Sequence, residues 1–497
     1  MTVVLSVIVF LPLIVAVVLL LVWVPDAVAR WVWVASSALV LGFVAVIWIG
    51  DDPRSAGLGY EQQVPWIPGV GSSYHVGVDG LSLPLLALTA VIFLACSVYA
   101  LRERDRPRLH AALFLFLETT CLGVFAAQDL ILFFVFFDLS IVGMYFAISR
   151  WGHGDAARSA LKFFLYTFLG SLALLAGFIG LYVYATPHTF DIVELTRVLP
   201  LTGHPVAGGF VLGAVVLGLA VKTPTVPFHT WLPPAHTDAP TVGSVVLAGV
   251  MLKLGTYGFV RIAMPMLPDP WRRFAWVIVV VGIVSVLYGA LVALAQTNLK
   301  RMIAYTSVNH MGYVVLGVGV AGLVAPGDAV ARQVAVSGAV TQMVSHGLIT
   351  GALFLLAGVL MDRRQSYRLD AYGGLAGPAP RLAALFSLAA FGSLGLPGFS
   401  GFIAEFQIFT GSIATAAVTA IALLGILVTA ALFLRALQQV FTGPTRGGSI
   451  GFADLRRHEV VAAGLLMALA MLIGVFPRPL LDVIEPAAST LVGLVSR

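Results

Sequence analysis

Apolar stretches of about 20 residues recur along this chain from end to end, each long enough to cross a hydrocarbon layer about 30 Å thick. They lie roughly at 3–24, 31–50, 81–101, 111–127, 129–149, 161–185, 207–230, 241–264, 274–296, 302–324, 333–361, 382–413, 415–441 and 459–480, about fourteen spans in all. A backbone in hydrocarbon has no water to bond, so it must close its hydrogen bonds within helices or a barrel. These runs are continuously apolar rather than alternating, which selects helices. Composition agrees: of 497 residues, 60% are hydrophobic and 10% charged, against about 25% charged in a soluble domain. The expectation is an all-α polytopic membrane protein. The first run lacks a basic leading segment and a small-residue cleavage site, so it reads as a retained span.

Several function classes drop out. The net charge of +5 is small and spread over loops, and no basic run is long enough to track phosphates, so nucleic acid is not a partner. Cys96 and Cys121 sit inside apolar runs with no CxxC spacing, which excludes an iron–sulfur site within this chain. No Rossmann glycine pattern, P-loop or HExxH occurs.

Loop lysines and arginines set the orientation. Arg102, Arg104, Arg106 and Arg108 give the strongest signal. The loops with Arg150 and Arg158, Lys300 and Arg301, Arg363, Arg364 and Arg368, and Arg446, Arg456 and Arg457 fall on the same side. The opposite loops carry only Arg54, Arg197, Arg272 with Arg273, and Arg332. The rich side is cytoplasmic if both termini face outward.

Two spans are interrupted. The seventh carries KTPTVPFH from Lys222 to His229, and the twelfth carries GLPGFSG from Gly395 to Gly401. Proline and glycine release backbone groups, which is tolerated at membrane depth only against protein or water. The breaks lie five spans apart and each adjoins a charge, the pattern of two inverted five-helix repeats with discontinuous helices in matching places. The corresponding division is 1–110 for the first three helices, 111–264 and 265–441 for the two repeats, and 442–497 for the last helix.

A charge at mid-membrane costs at least about 2.5–3.5 kcal/mol, so each one is a functional candidate. The spans hold Glu118, Asp138, Lys222, Lys253, His310, His346 and Glu405. Lys222 adjoins a break and Lys253 sits mid-run, both too deep to snorkel easily. Asp138 lies among Phe133, Phe134, Phe136 and Phe137, so its partner must come from another helix, with Lys222 the natural candidate. Each histidine alone reads equally well as a satisfied buried polar group; in company they supply the side chain that titrates near neutral pH. Desolvation and a movable carboxylate pull a buried lysine in opposite directions, so a row of such groups is a candidate proton relay.

The segment KTPTVPFHTWLPPAHTDAPTVGSVVLAGVMLKLGTYGFVR, from Lys222 to Arg261, resembles the signature of the antiporter-like proton-pumping subunits of respiratory NADH–quinone oxidoreductase (complex I). Similar to that family too are HVGVDGLSLPL from His75, QDLILFFVFFD from Gln128, LKFFLYTFLGS from Leu161, QTNLKRMIAYTSVNHMGY from Gln296, SHGLITGALFLLAG from Ser345 and GLPGFSGFIAEF from Gly395. The resemblance spans nearly the whole chain. A glutamate after the GLPGFSGF motif, here Glu405, together with RALQQVFTGP from Arg435, resembles the M-type (chain 4) branch; the L- and N-type branches and the cation/proton antiporter subunits more usually place lysine there.

The resemblance implies roles: Lys222 as the channel lysine of the first half, Lys253 as the connecting lysine, Glu405 as the terminal site, His310 and His346 as relay positions, and Asp138 in the place of a glutamate that pairs with the channel lysine. His229, His236 and Lys300 are candidate entry or supporting positions. It also implies a bacterial inner-membrane setting among the other subunits of the complex, especially neighbouring antiporter-like ones, and membrane lipids. No cofactor is expected in this chain; flavin and iron–sulfur clusters would sit in partner subunits. Departures from the family pattern are Asp138 for glutamate, Gly143 for proline, Pro234 for aspartate and Asn298 for aspartate. They shorten or remove carboxylates, and Glu118 is a second candidate for the switch role. A subunit of a multi-subunit cation/proton antiporter or membrane-bound hydrogenase, and a stand-alone solute transporter, are the alternatives.

Overall fold

The computed structural model describes residues 3–50 and 57–496; Arg54, one of the orientation residues, lies outside them. Among the described residues the chain forms α1 (Val4–Leu21), α2 (Asp26–Gly50), a hairpin of β1 (Gly59–Ile67) and β2 (Ser72–Val78), then α3 (Leu83–Tyr99), α4 (Pro107–Ala126), α5 (Leu130–Trp151), α6 (Ala156–Tyr184), α7 (Ile192–Val198), α8 (Pro205–Lys222) and α9 (Leu232–Asp238). There follow α10 (Thr241–Met266), α11 (Pro268–Leu294), α12 (Leu299–Val320), α13 (Ala329–Arg364), α14 (Pro380–Ser393), α15 (Ser400–Thr415), α16 (Ala417–Val440), α17 (Arg457–Val475) and α18 (Arg478–Val495). Twelve of these helices are long and apolar enough to cross a membrane. Each apolar run read from the sequence has a helical counterpart. The tenth, α12, falls outside those twelve, and the twelfth is the pair α14 and α15. The chain is a multi-pass membrane protein.

The expected all-α membrane fold stands, with one short hairpin added to it. The chain is not wholly helical, because β1 and β2 pair antiparallel. Pro65 and the glycines at 69 and 71 blurred the alternation of this stretch, which lies between spans where a strand can meet water. Residues 442–497 hold two helices where the sequence predicts one, the second being α18, whose apolar residues fall on one face.

Hydrogen bonds sort the loops into two ends. At one end Trp151 Nε1 donates to the Asp105 carbonyl at 2.9 Å, Arg363 pairs with Glu459 at 2.6 Å, and Leu299 N donates to the Tyr367 carbonyl at 2.8 Å. At the other, Ser6 Oγ donates to Gln62 of the hairpin at 2.7 Å, while Arg272 and Arg332 reach Val495 and Ser496. The arginine-rich loops thus gather at one end, and the hairpin and both termini at the other.

Helix starts follow their residues. Proline opens α4, α8 and α11, where its missing N–H costs nothing. The Asp129 side chain accepts from Ile131 N and Leu132 N to start α5, and Asn298 accepts from Arg301 N to start α12. Asn298 therefore keeps a capping role while supplying no charge. Between α11 and α12 a Cβ on Gly289 or Gly312 would press on the facing backbone, the close approach that small residues permit between membrane helices.

Candidate functional site

Both interruptions expected from the sequence are present. α8 ends on Lys222, and the chain runs non-helically to α9. The released backbone is satisfied by protein: Thr225 N donates to the Ala220 carbonyl at 3.1 Å, Val226 N to Ser285 Oγ at 3.0 Å, and Trp231 Nε1 to the Val221 carbonyl at 2.9 Å. α10 passes close to this break, where a Cβ on Gly255 would strike Thr223 and the Leu219 carbonyl. The second break separates α14 from α15, with Gly395 at φ +70° and Gly398 at φ +95°. A Cβ on Gly395 would collide with a Glu405 carboxylate oxygen, so glycine both adopts the turn and makes room for the charge.

Lys222 is 1% exposed. Its Nζ donates to Ser140 Oγ at 3.3 Å and lies 4.8 Å from the centre of the Phe137 ring. The expected ion pair with Asp138 is not formed. Asp138 occupies the same helix as Ser140, is half-buried, and its Oδ1 has no hydrogen-bond partner among the described residues. Two residues apart on a helix point to different sides, so the side chain that meets Lys222 is the serine. Glu118 on α4 is fully buried and accepts from Ser37 of α2 at 2.8 Å.

Lys253, on α10 and fully buried, makes the tightest cluster. Its Nζ donates to the Ala248 carbonyl and lies 2.6 Å from His346 Nδ1 on α13. With the lysine charged, Nδ1 is the acceptor and the imidazole proton sits on Nε2. The His346 ring meets His310 of α12 edge-on, centroids 5.4 Å apart. No carboxylate pairs with Lys253 among the described residues. A π-helical turn lies on either side of it, at Leu247–Met251 and Phe259–Ala263. Such turns interrupt the regular hydrogen-bond register and recur at functional sites.

His236 is fully buried, stacks on Phe354 at 4.6 Å, and neither ring nitrogen has a hydrogen-bond partner among the described residues. His229 meets Tyr288 edge-on at 5.0 Å. Lys300 Nζ donates to the Ala239 carbonyl at 2.6 Å and lies 5.1 Å from the Tyr367 ring centre. Glu405, 5% exposed, borders an apolar cavity of about 580 Å³ with Phe402, Phe406 and Phe409, and forms no ion pair among the described residues.

Thus the structure brings Lys253, His346 and His310 together and leaves Asp138 without an ion pair among the described residues. It also contains groups that residue-by-residue reading did not single out. Asp79 pairs with Arg261 of α10 at 2.5 Å, and Arg261 donates to Tyr257 at 2.8 Å. His75 lies between Asp191 at 2.5 Å and Glu61 at 2.8 Å. Tyr99 donates to Asp362 at 3.2 Å. Arg261 sits in a run already read as a span, and its charge was the available signal. Asp362 and His153 stand at span ends, where charge is ordinary. No group of three or more His, Cys, Asp or Glu among the described residues is arranged to hold a metal ion.

A membrane bundle with discontinuous helices and a buried lysine–histidine core defines a class of ion-translocating membrane subunit. The chain belongs to the family described as NADH:quinone oxidoreductase/Mrp antiporter membrane proteins, whose model matches residues 127–433. Within it, the chain is 37% identical over 499 residues to NADH-quinone oxidoreductase subunit M of Rickettsia prowazekii, covering 98% of each. It is 38% identical over 505 residues to subunit M of Rhodobacter capsulatus, covering 98% of this chain and 96% of that one. A chain of respiratory complex I from Thermus thermophilus superposes with a TM-score of 0.88 at 30% identity, over 99% of both chains. A chain of the Mrp complex from Dietzia sp. DQ12-45-1b superposes at 0.87 with 22% identity, a likeness of fold.

Proposed function

We propose that this chain is an M-type proton-translocating membrane-arm subunit of an NADH–quinone oxidoreductase. The observation that carries the reading is the buried Lys253–His346–His310 cluster, a cation and two imidazoles in contact with no carboxylate to fix the charge. A permanently charged lysine there would be costly, whereas one that gains and loses its proton to a neighbouring imidazole has a use for the site. In this scheme protons pass along Lys222, Lys253, His346 and His310 towards Glu405. Asp138 or Glu118 acts as the carboxylate that biases Lys222, and His229, His236 and Lys300 support entry. The five spans of residues 111–264 and the five of 265–441 act as two inverted units.

Electron transfer occurs in partner subunits that hold the flavin and iron–sulfur clusters, and this chain carries no redox centre. Its neighbours are other membrane and peripheral subunits, especially antiporter-like ones, and lipids. It resides in a bacterial inner membrane with the arginine-rich end inward and both termini outward. The glutamate at 405 favours this reading over an antiporter or hydrogenase subunit, and the almost wholly titratable buried polar set disfavours a stand-alone solute carrier.

The test is Lys253→Ala in the assembled complex, in inside-out vesicles, with proton uptake and NADH oxidation followed together. The expected outcome is lower proton uptake per NADH with normal subunit content. Unchanged uptake would remove the basis of the scheme.

A further inference from the structure

Between the arginine-rich ends of α3, α4, α13 and α17 lies a polar cavity of about 460 Å³, open towards the loops. Its wall includes Tyr99, His153, Asp362 and Tyr367. Asp362 accepts from Tyr99 at 3.2 Å and has no ion pair among the described residues, because the adjacent Arg363 is held by Glu459 at 2.6 Å. Asp362 is therefore a carboxylate facing the cavity with no cation bonded to it among the described residues.

The inner wall is thin. The His153 and Tyr367 rings lie 5.8 Å apart. Behind Tyr367 stands Lys300, 1% exposed, its Nζ 5.1 Å from that ring and bonded to the carbonyl of Ala239, whose neighbour Pro240 also lines the cavity. Burial and the nearby Lys300 charge push the His153 imidazole down to about 4. Lys300 in turn lies within electrostatic reach of Asp238 and Asp362, although neither pairs with it. On the far side, His236 is within electrostatic reach of both Lys300 and Lys253.

We propose that this cavity is the proton intake of the chain, with Asp362 collecting the proton and Lys300, behind the His153–Tyr367 partition, receiving it first. The transfer breaks an O–H bond on the cavity side, forms an N–H bond at a neutral Lys300, and leaves the carboxylate charged for the next proton. The route needs no carboxylate at positions 234 or 298, where this chain has Pro234 and Asn298. The inference rests on the proton-translocation reading and adds to it the place where protons enter.

The experiment uses the assembled complex in inside-out vesicles, so that the arginine-rich end faces the medium. Asp362→Asn should lower proton uptake per NADH as far as Lys253→Ala does, and Asp362→Glu should restore it; a structural role for the Asp362–Tyr99 bond alone would not require an ionisable group. Independently, Gln365→Cys at the cavity, labelled after assembly with a cationic thiol reagent, should lose proton uptake and regain it on reduction. The native Cys96 and Cys121 are buried away from the label. If Asp362→Asn and labelled Gln365→Cys both pump at the parental rate while Lys253→Ala does not, the intake lies elsewhere and the translocation reading stands. If Lys253→Ala also pumps normally, the reading itself falls.

Discussion

Asp138 and Asp79 are both acidic residues near a basic one, and the structure gives them different work. Asp79 is bonded to Arg261, which is 9% exposed. Asp79→Ala would strand that guanidinium and should destabilise the protein by about 3 kcal/mol, read as earlier thermal unfolding of the purified complex. Asp138 holds no such partner, so Asp138→Asn should leave stability nearly unchanged and act on transport instead. Since its charge lies within electrostatic reach of Lys222, whereas Glu118 is bonded to Ser37, Asp138→Asn should lower proton uptake more than Glu118→Gln. Equal or reversed losses would transfer the switch role to Glu118. The sequence made both carboxylates visible, because a charge in an apolar run stands out. It did not make visible that Lys222 meets a serine, because the rotation of α5 against α8 is decided by packing of many apolar side chains of similar character.

The spans and both interruptions were legible as elements, since hydropathy and proline–glycine placement act locally. The hairpin and the π turns were not: strand pairing joins residues across a turn, and a π turn depends on how a helix meets its neighbours. The hairpin is fastened to the loop before α7 by His75, held between Asp191 and Glu61, with Gln63 Nε2 donating to Asp191 at 3.1 Å. Burial disfavours the charged imidazole, but the two carboxylates outweigh it and hold His75 above its ordinary 6.5. Burial also opposes ionised Asp191, but the bond to His75 outweighs that and holds it below its ordinary 3.8. The His75 contribution is complete below about 6.5 and lost as pH rises through the raised value; that of Asp191 is present above about 3.8 and lost as pH falls. The fastening is therefore strongest between those limits. Hydrogen exchange of residues 72–78, corrected for the intrinsic rate, should quicken as pH rises past neutrality. His75→Gln should abolish that dependence, and its persistence in the variant would place the titration elsewhere.

Across the whole molecule, Lys222, Lys253, His346 and His310 come from α8, α10, α13 and α12, so no single helix carries the proposed path. Steps in series are not additive: once one is blocked, a second block adds little. Lys222→Ala with Lys253→Ala should lower proton uptake no further than the more harmful single change. A double variant with the summed loss of both would mean two parallel routes. The family was legible from motifs because it is written in contiguous segments, whereas the cavity near Asp362 joins residues from both halves of the chain and has no linear signature.

The paired π turns of α10 bear on how the chain can change length. Each π turn holds an extra residue relative to regular helix, and each residue turns the helix by about 100°. Removing one residue from Leu247–Met251 would use up that extra residue and close the turn regularly, with Lys253 still facing His346, whereas removing one from the regular turns Leu252–Gly258 would swing everything on one side of the deletion by about 100° around the axis. The helix therefore has slack for a deletion in its two π turns and none in the regular stretch between them, where Lys253 stands. Counting, as much as chemistry, keeps that lysine facing its histidine.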